Sequence, residues 1–165
     1  MKRKKRKVSE LTRASNSLYY EIWMLLNLGR IMSVGIGRES VFINNALVES
    51  FMIHARVMLE FLYAENPRKD DIVAEDFLPD TEQWQDIRIP KTELLETVHN
   101  RVSKEAVHLT YARLEQTPET KQWAFLQIAE DFELVFDQFL ELVPTYLLGS
   151  RWEAQSTSKD KQEEE

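Results

Sequence analysis

The sequence predicts an all-α protein, an antiparallel four-helix bundle with a long central connection and disordered termini. Three observations carry that prediction. Apolar residues recur at spacings of three and four over long segments. No segment alternates with period two over a useful length. The segments close at helix-ending residues: Gly35-Ile36-Gly37, Pro67, and Pro144 with Gly149.

The first helix is predicted from Ser9 to Met32, with Leu11, Ala14, Leu18, Ile22, Leu25 and Leu26 as its stripe. The second runs from Glu39 to Glu65. Ile43, Leu47, Phe51, Met58 and Leu62 form one stripe, and Val48, Met52, Ala55 and Leu59 widen it. A stripe that broad predicts a helix packed on several neighbours. Asn66 to Lys91 is the central connection. It holds an apolar patch at Ile72-Val73-Ala74 and is expected to be pinned by Trp84, Ile87 and Ile89. The third helix is predicted from Thr92 to Leu114. The fourth opens at Thr117-Pro118-Glu119, a cap followed by proline in the first turn, and carries Ile128, Phe132, Val135, Phe136, Phe139 and Val143. From Glu153 onward no apolar residue exceeds alanine. Three regions follow: a basic arm over 1–8, a helical domain over 9–152 and a polar, acidic tail over 153–165.

Charge is unevenly placed. The chain has 165 residues and a net charge of −7, yet Lys2, Arg3, Lys4, Lys5, Arg6 and Lys7 are six cations in a row. Without them 15 basic residues face 28 acidic ones, −13. Adjacent like charges repel, so the arm is expected to be disordered. Such an arm suits nucleic acid, an anionic membrane or an import receptor. Equally it suits a solubilising tail, or one folded back on the acidic body. The arm is followed by Val8-Ser9-Glu10-Leu11-Thr12-Arg13 rather than an apolar stretch, so it does not read as a secretion signal. The most apolar run, Ile22 to Leu28, is too short for a membrane span. A soluble, cytoplasmic chain with no membrane partner is expected.

There is no cysteine, which excludes disulfides, thiol nucleophiles and cysteine–zinc sites. Gly35-Ile36-Gly37 lacks the third glycine of a dinucleotide loop, and no His-Glu-x-x-His helix occurs. Asp70, Asp71, Glu75 and Asp76 do not meet calcium-loop spacing and are read as a solvated acidic loop. No metal site and no cofactor is expected. Trp23, Trp84, Trp123 and Trp152 share no spacing and are read as core or interface anchors.

That leaves three histidines. His54 falls within the apolar stripe of the second helix, as a hydrogen-bonded core histidine would. His99 lies on the third helix, on a face away from His108. His108 follows Arg101 by seven residues, which places both on one face within roughly 10 Å of axial rise. Glu105 lies between them, expected to pair with Arg101, and Tyr111 follows one turn on. Histidine exchanges a proton near neutral pH. Arginine holds a phosphate through two parallel hydrogen bonds. Together they suffice for metal-free cleavage of RNA, in which the 2'-hydroxyl attacks its own phosphate. One histidine supplies one acid or base; a symmetric homodimer would supply two.

The stretch Arg101-Val-Ser-Lys-Glu-Ala-Val-His108 resembles the motif of the HEPN superfamily, an arginine and a histidine separated by four to six residues. The strings Leu47-Val-Glu-Ser-Phe-Met-Ile-His-Ala-Arg56 and Ala106-Val-His-Leu-Thr-Tyr111 are similar to uncharacterised bacterial bundle proteins near that superfamily. The resemblance covers Tyr19 to Leu140. Where family members carry a polar residue after the arginine, this chain has Val102, with Asn100 before it. HEPN proteins are small helical bundles. Many are metal-independent ribonucleases of toxin–antitoxin, abortive-infection and CRISPR-associated systems; others bind or dimerise without catalysis. The resemblance thus implies Arg101 and His108 as catalytic residues, with Glu105, Tyr111 and His54 supporting them. It implies RNA as ligand, a homodimer, and a cognate partner protein such as an antitoxin. The alternative is a non-catalytic helical interaction or dimerisation module whose basic arm binds nucleic acid.

Overall fold

A computed structural model describes residues 5–79, 83–102, 111 and 122–152. Among these residues all regular structure is helical. The helices are α1 (Val8–Ser33), α2 (Val41–Tyr63), α3 (Gln83–Ile87), α4 (Glu93–Val102) and α5 (Phe125–Leu142). Short 3-10 turns occur at Ala74–Phe77 and Thr145–Leu147. α1 packs against both α2 and α5, and α4 lies on α2. Among the described residues no helix is long and apolar enough to cross a membrane.

α1 begins where the Glu10 carboxylate accepts the Lys7 N–H at 2.9 Å. It ends in a Schellman arrangement: the Gly35 N–H bonds the Met32 carbonyl and the Ile36 N–H bonds the Ile31 carbonyl, both at 3.1 Å. Gly35 and Gly37 sit at φ of 86° and 91°, a region that favours glycine, and this turns the chain sharply into α2. Ser40 caps α2 by accepting the Ile43 N–H. A third glycine has a different task. A Cβ on Gly29 would lie 2.6 Å from the Ala129 Cβ, so α1 and α5 touch there almost backbone to backbone.

The core gathers around Phe139, whose ring meets Phe61, Phe77, Trp84 and Phe136 at centroid distances of 5.1 to 5.9 Å. The first three are edge-on and the Phe136 ring is tilted at 34°, and such ring geometry adds to the area buried. Trp84 is fully buried and its indole N–H donates to the Leu62 carbonyl at 2.8 Å, which ties the central connection to α2. At the other end, the Gly149 N–H bonds the Ser15 hydroxyl at 2.8 Å, and the Trp152 indole bonds the Ser15 carbonyl at 3.0 Å. The chain through Trp152 is therefore fastened to α1.

Several local expectations are corrected. Ile87 is not buried; instead Gln138 accepts the Ile89 N–H and donates to the Ile87 carbonyl, each at 2.9 Å. A glutamine clamp replaces apolar burial there. Glu75 is not a solvated member of the acidic loop but is buried in the 3-10 turn. The last long helix does not run on from Thr117: residues 122–124 are not helical and α5 starts at Phe125. Gln122 and Trp123 turn instead to receive Arg101. The predicted third helix is seen over Glu93–Val102, and its continuation lies outside the described residues.

Candidate functional site

Arg101 stands in the last turn of α4, half-buried. Its Nη1 donates to the Gln122 carbonyl at 3.0 Å, and its Cζ lies 3.9 Å from the centre of the Trp123 ring. A guanidinium stacked on tryptophan is a cation–π contact. Trp123 lines a cleft of about 750 Å³ with Met32, Arg38, Asn44 and Gln127. His108 and Glu105, the other members of the expected site, lie outside the described residues, as do Lys2, Arg3 and Lys4 of the arm. Tyr111 is almost fully exposed.

His54 is 7% exposed on α2. Its Nδ1 is 2.6 Å from a Glu21 carboxylate oxygen on α1, and its ring meets Tyr20 edge-on at 5.6 Å. These contacts tie α1 to α2.

His99 is exposed and lines a polar cleft of about 520 Å³ with Arg56, Tyr63, Arg68 and Lys91. The charges here have partners. Arg56 bonds Glu60 and Lys91 bonds Glu96, both at 2.9 Å. The bond from Lys91 holds the Glu96 carboxyl below its ordinary range. Tyr63 donates to the Ile89 carbonyl at 2.9 Å, and burial pushes its hydroxyl up to about 12 against the pull of Arg88. The rim is thus a set of internal ion pairs. Among the described residues no group of three or more histidine and acidic side chains could hold a metal ion.

At the foot of the basic arm, the Arg6 guanidinium donates to the carbonyl of Lys69, beside Asp70 and Asp71. This end of the arm is folded against the acidic connection. Lys5 and Lys7 are exposed.

The feature the sequence did not single out is an apolar surface on the outside of the α1–α2 hairpin. On α2, Phe42 is 81% exposed, Ile53 53%, Ile43 45% and Val57 38%. Their spacing puts them on one side of the helix. On α1, Tyr20 and Trp23 lie in solvent, and the turn between the helices adds Val34 and Ile36. Tyr20 meets His54 edge-on, and the side of α2 that carries Phe42 and Ile53 also carries Glu49, Arg56 and Glu60. Ala14 to Gly29 holds a single charge, Glu21, and Val41 to Val48 holds none. The sequence marks this side of α2 as its polar face, through Glu49, Arg56 and Glu60, and the apolar residues interleaved with those charges were the missed signal.

Comparison with family models, with curated proteins and with solved structures found no match to this chain.

Proposed function

We propose that this chain is a helical interaction module, an antiparallel arrangement of α1, α2, α4 and α5 that docks through the outer face of its α1–α2 hairpin. The supporting observation is the exposed apolar face itself. A soluble monomer rarely leaves a contiguous apolar patch larger than a few hundred Å² in water. The test is a pair of Ser substitutions, Phe42→Ser with Ile53→Ser. If the face serves docking, the pair leaves the fold's stability within about 0.5 kcal/mol of the parent, as surface substitutions do. Binding of the dye 8-anilinonaphthalene-1-sulfonate by dilute protein should fall at the same time. A stability loss of core size, about 2 kcal/mol or more, would mean the chain covers this face itself, and the module reading fails.

A second reading is metal-independent cleavage of RNA by Arg101 and His108, in a HEPN-like bacterial stress or defence protein. Its support is the stacking of Arg101 on Trp123, which itself lines a cleft of about 750 Å³. His108→Ala should then lower the cleavage rate by about two to four orders of magnitude. Products should end in 2',3'-cyclic phosphate, and EDTA should change little. Folded protein that leaves a range of RNAs intact would end this reading.

A further inference from the structure

We infer that the central connection, Asn66 to Lys91, is a proton-latched strap: it lies closed on the helices while the Glu75 carboxyl holds a proton, and it lifts from them when that carboxyl ionises. This stands apart from both the docking face and the cleavage reading.

The strap is a layer added to the helices. α1 packs directly on α2 and α5, so the three long helices meet one another without it. The connection is fastened to them from outside. The Phe77 ring meets Phe61 and Phe139 edge-on. The Leu62 carbonyl accepts the Trp84 indole N–H at 2.8 Å and the Arg88 guanidinium at 3.0 Å. Tyr63 donates to the Ile89 carbonyl, and Gln138 holds Ile87 and Ile89. None of the groups making these bonds titrates between about pH 4 and 9.

Glu75 is the exception. It sits in the 3-10 turn Ala74–Phe77, 6% exposed. Among the described residues its Oε1 is the one buried side-chain oxygen or nitrogen without a hydrogen-bond partner. The carboxyl has a hydrogen bond from the Gln85 side chain and one from its own backbone N–H. Arg88 attracts its negative charge and Asp76 repels it, while α2 and α5 meet the turn through the rings of Phe61 and Phe139. Burying a carboxylate with an orphan oxygen is costly, and burying a neutral carboxyl is much less so. Water satisfies either form once the strap lifts. Ionisation therefore favours the lifted state. The preference for the closed state is full below pH 4.5 and is lost as pH rises through the raised value that burial produces. Lifting uncovers Phe61 and Phe139. It also removes the wall that Pro67, Arg68, Asp71 and Lys91 give to the polar cleft.

Amide hydrogen exchange on the full chain between pH 4.5 and 8, corrected for the chemical exchange rate, tests the latch. The amides of Asp76, Arg88 and Ile89 are hydrogen-bonded and report on the strap. Those of Leu25 and Phe136 report on the helical core. The strap amides should be less protected than the core amides and insensitive to low urea, as local opening requires. Their protection should fall about tenfold over this pH range, the scale of one unsatisfied buried group. Glu75→Gln keeps the shape without the charge and should abolish the fall. Gln85→Leu takes away the remaining side-chain partner and should deepen it. Strap amides as protected as the core would mean that the connection leaves only with the whole fold, and the strap is overturned. A fall that persists in Glu75→Gln assigns the pH dependence to another group, His99 of the cleft first, and overturns the latch. Weaker protection of Glu75→Gln at every pH would mean that the charge holds the strap down, the reverse of the proposal.

Discussion

The two sides of α2 are built from the same residue types and meet opposite fates. Inward, Phe51, Met58 and Leu62 have no exposed surface, and Phe51 packs edge-on against Phe125 of α5 at 5.2 Å. Outward, Phe42, Ile43 and Ile53 stand in water. The outer side mixes these apolar residues with Glu49, Arg56 and Glu60, so α2 carries more apolar surface than its own neighbours cover. The inner side is set by packing, and the surplus on the outer side has no account in the isolated fold. That makes function, rather than stability, the reason to keep it. The largest expected effect tests this contrast directly. Phe51→Ala should cost about 3–5 kcal/mol in chemical denaturation, since it opens a cavity in a filled core. Phe42→Ala should change stability by less than about 0.5 kcal/mol. Similar losses at both positions would erase the distinction between the two sides.

The same contrast explains what the sequence could disclose. Helical periodicity located α1 and α2 within a residue or two, because the glycine turn between them is a local device read from local residues. Burial of Trp84 was also legible, as a large apolar anchor in a polar connection. Three features were not. Gly29 looks like any helix interruption, and only the approach of Ala129 from a helix a hundred residues later gives it a purpose. The start of α5 depends on Trp123 turning under Arg101, a contact between elements that no spacing rule encodes. Which side of α2 faces water depends on where α1, α4 and α5 dock, and period alone cannot choose. For the expected site, spacing could align Arg101 with His108, but it could not show that the guanidinium stacks on Trp123 and bonds the Gln122 carbonyl.

A smaller effect concerns the buried carboxyl of Glu75, the polar counterpart of an exposed apolar residue. It is 6% exposed, and its Oε1 has no hydrogen-bond partner among the described residues. Burial raises its pKa above the ordinary 4.5, although Gln85 and Arg88 oppose the shift. The fold therefore favours the protonated carboxyl. Its contribution to stability is fully present below pH 4.5 and is lost as pH rises through the raised value. Glu75→Gln should stabilise the protein by about 1 kcal/mol at pH 7, on the scale of an unsatisfied buried group. The gap should close as pH falls below 4.5. Thermal melts across that range measure it; a variant less stable than the parent at pH 7 would mean the charge is needed where it lies.

The smallest expected effect sits where the apolar face of α2 meets the polar cleft. Arg56 and Glu60 are one turn apart, with Nε and Oε1 at 2.9 Å and side chains 36% and 60% exposed. An exposed pair of this kind contributes about 0.3–0.5 kcal/mol. The order, cation before anion along the helix, is the less favourable one. Arg56→Ala should therefore lower stability by no more than that, and about 1 M salt should remove most of the difference by screening. A larger loss that ignores salt would point to the arginine stem covering apolar surface instead. Stability measured at two salt concentrations therefore separates the ion pair from the packing of the arginine stem.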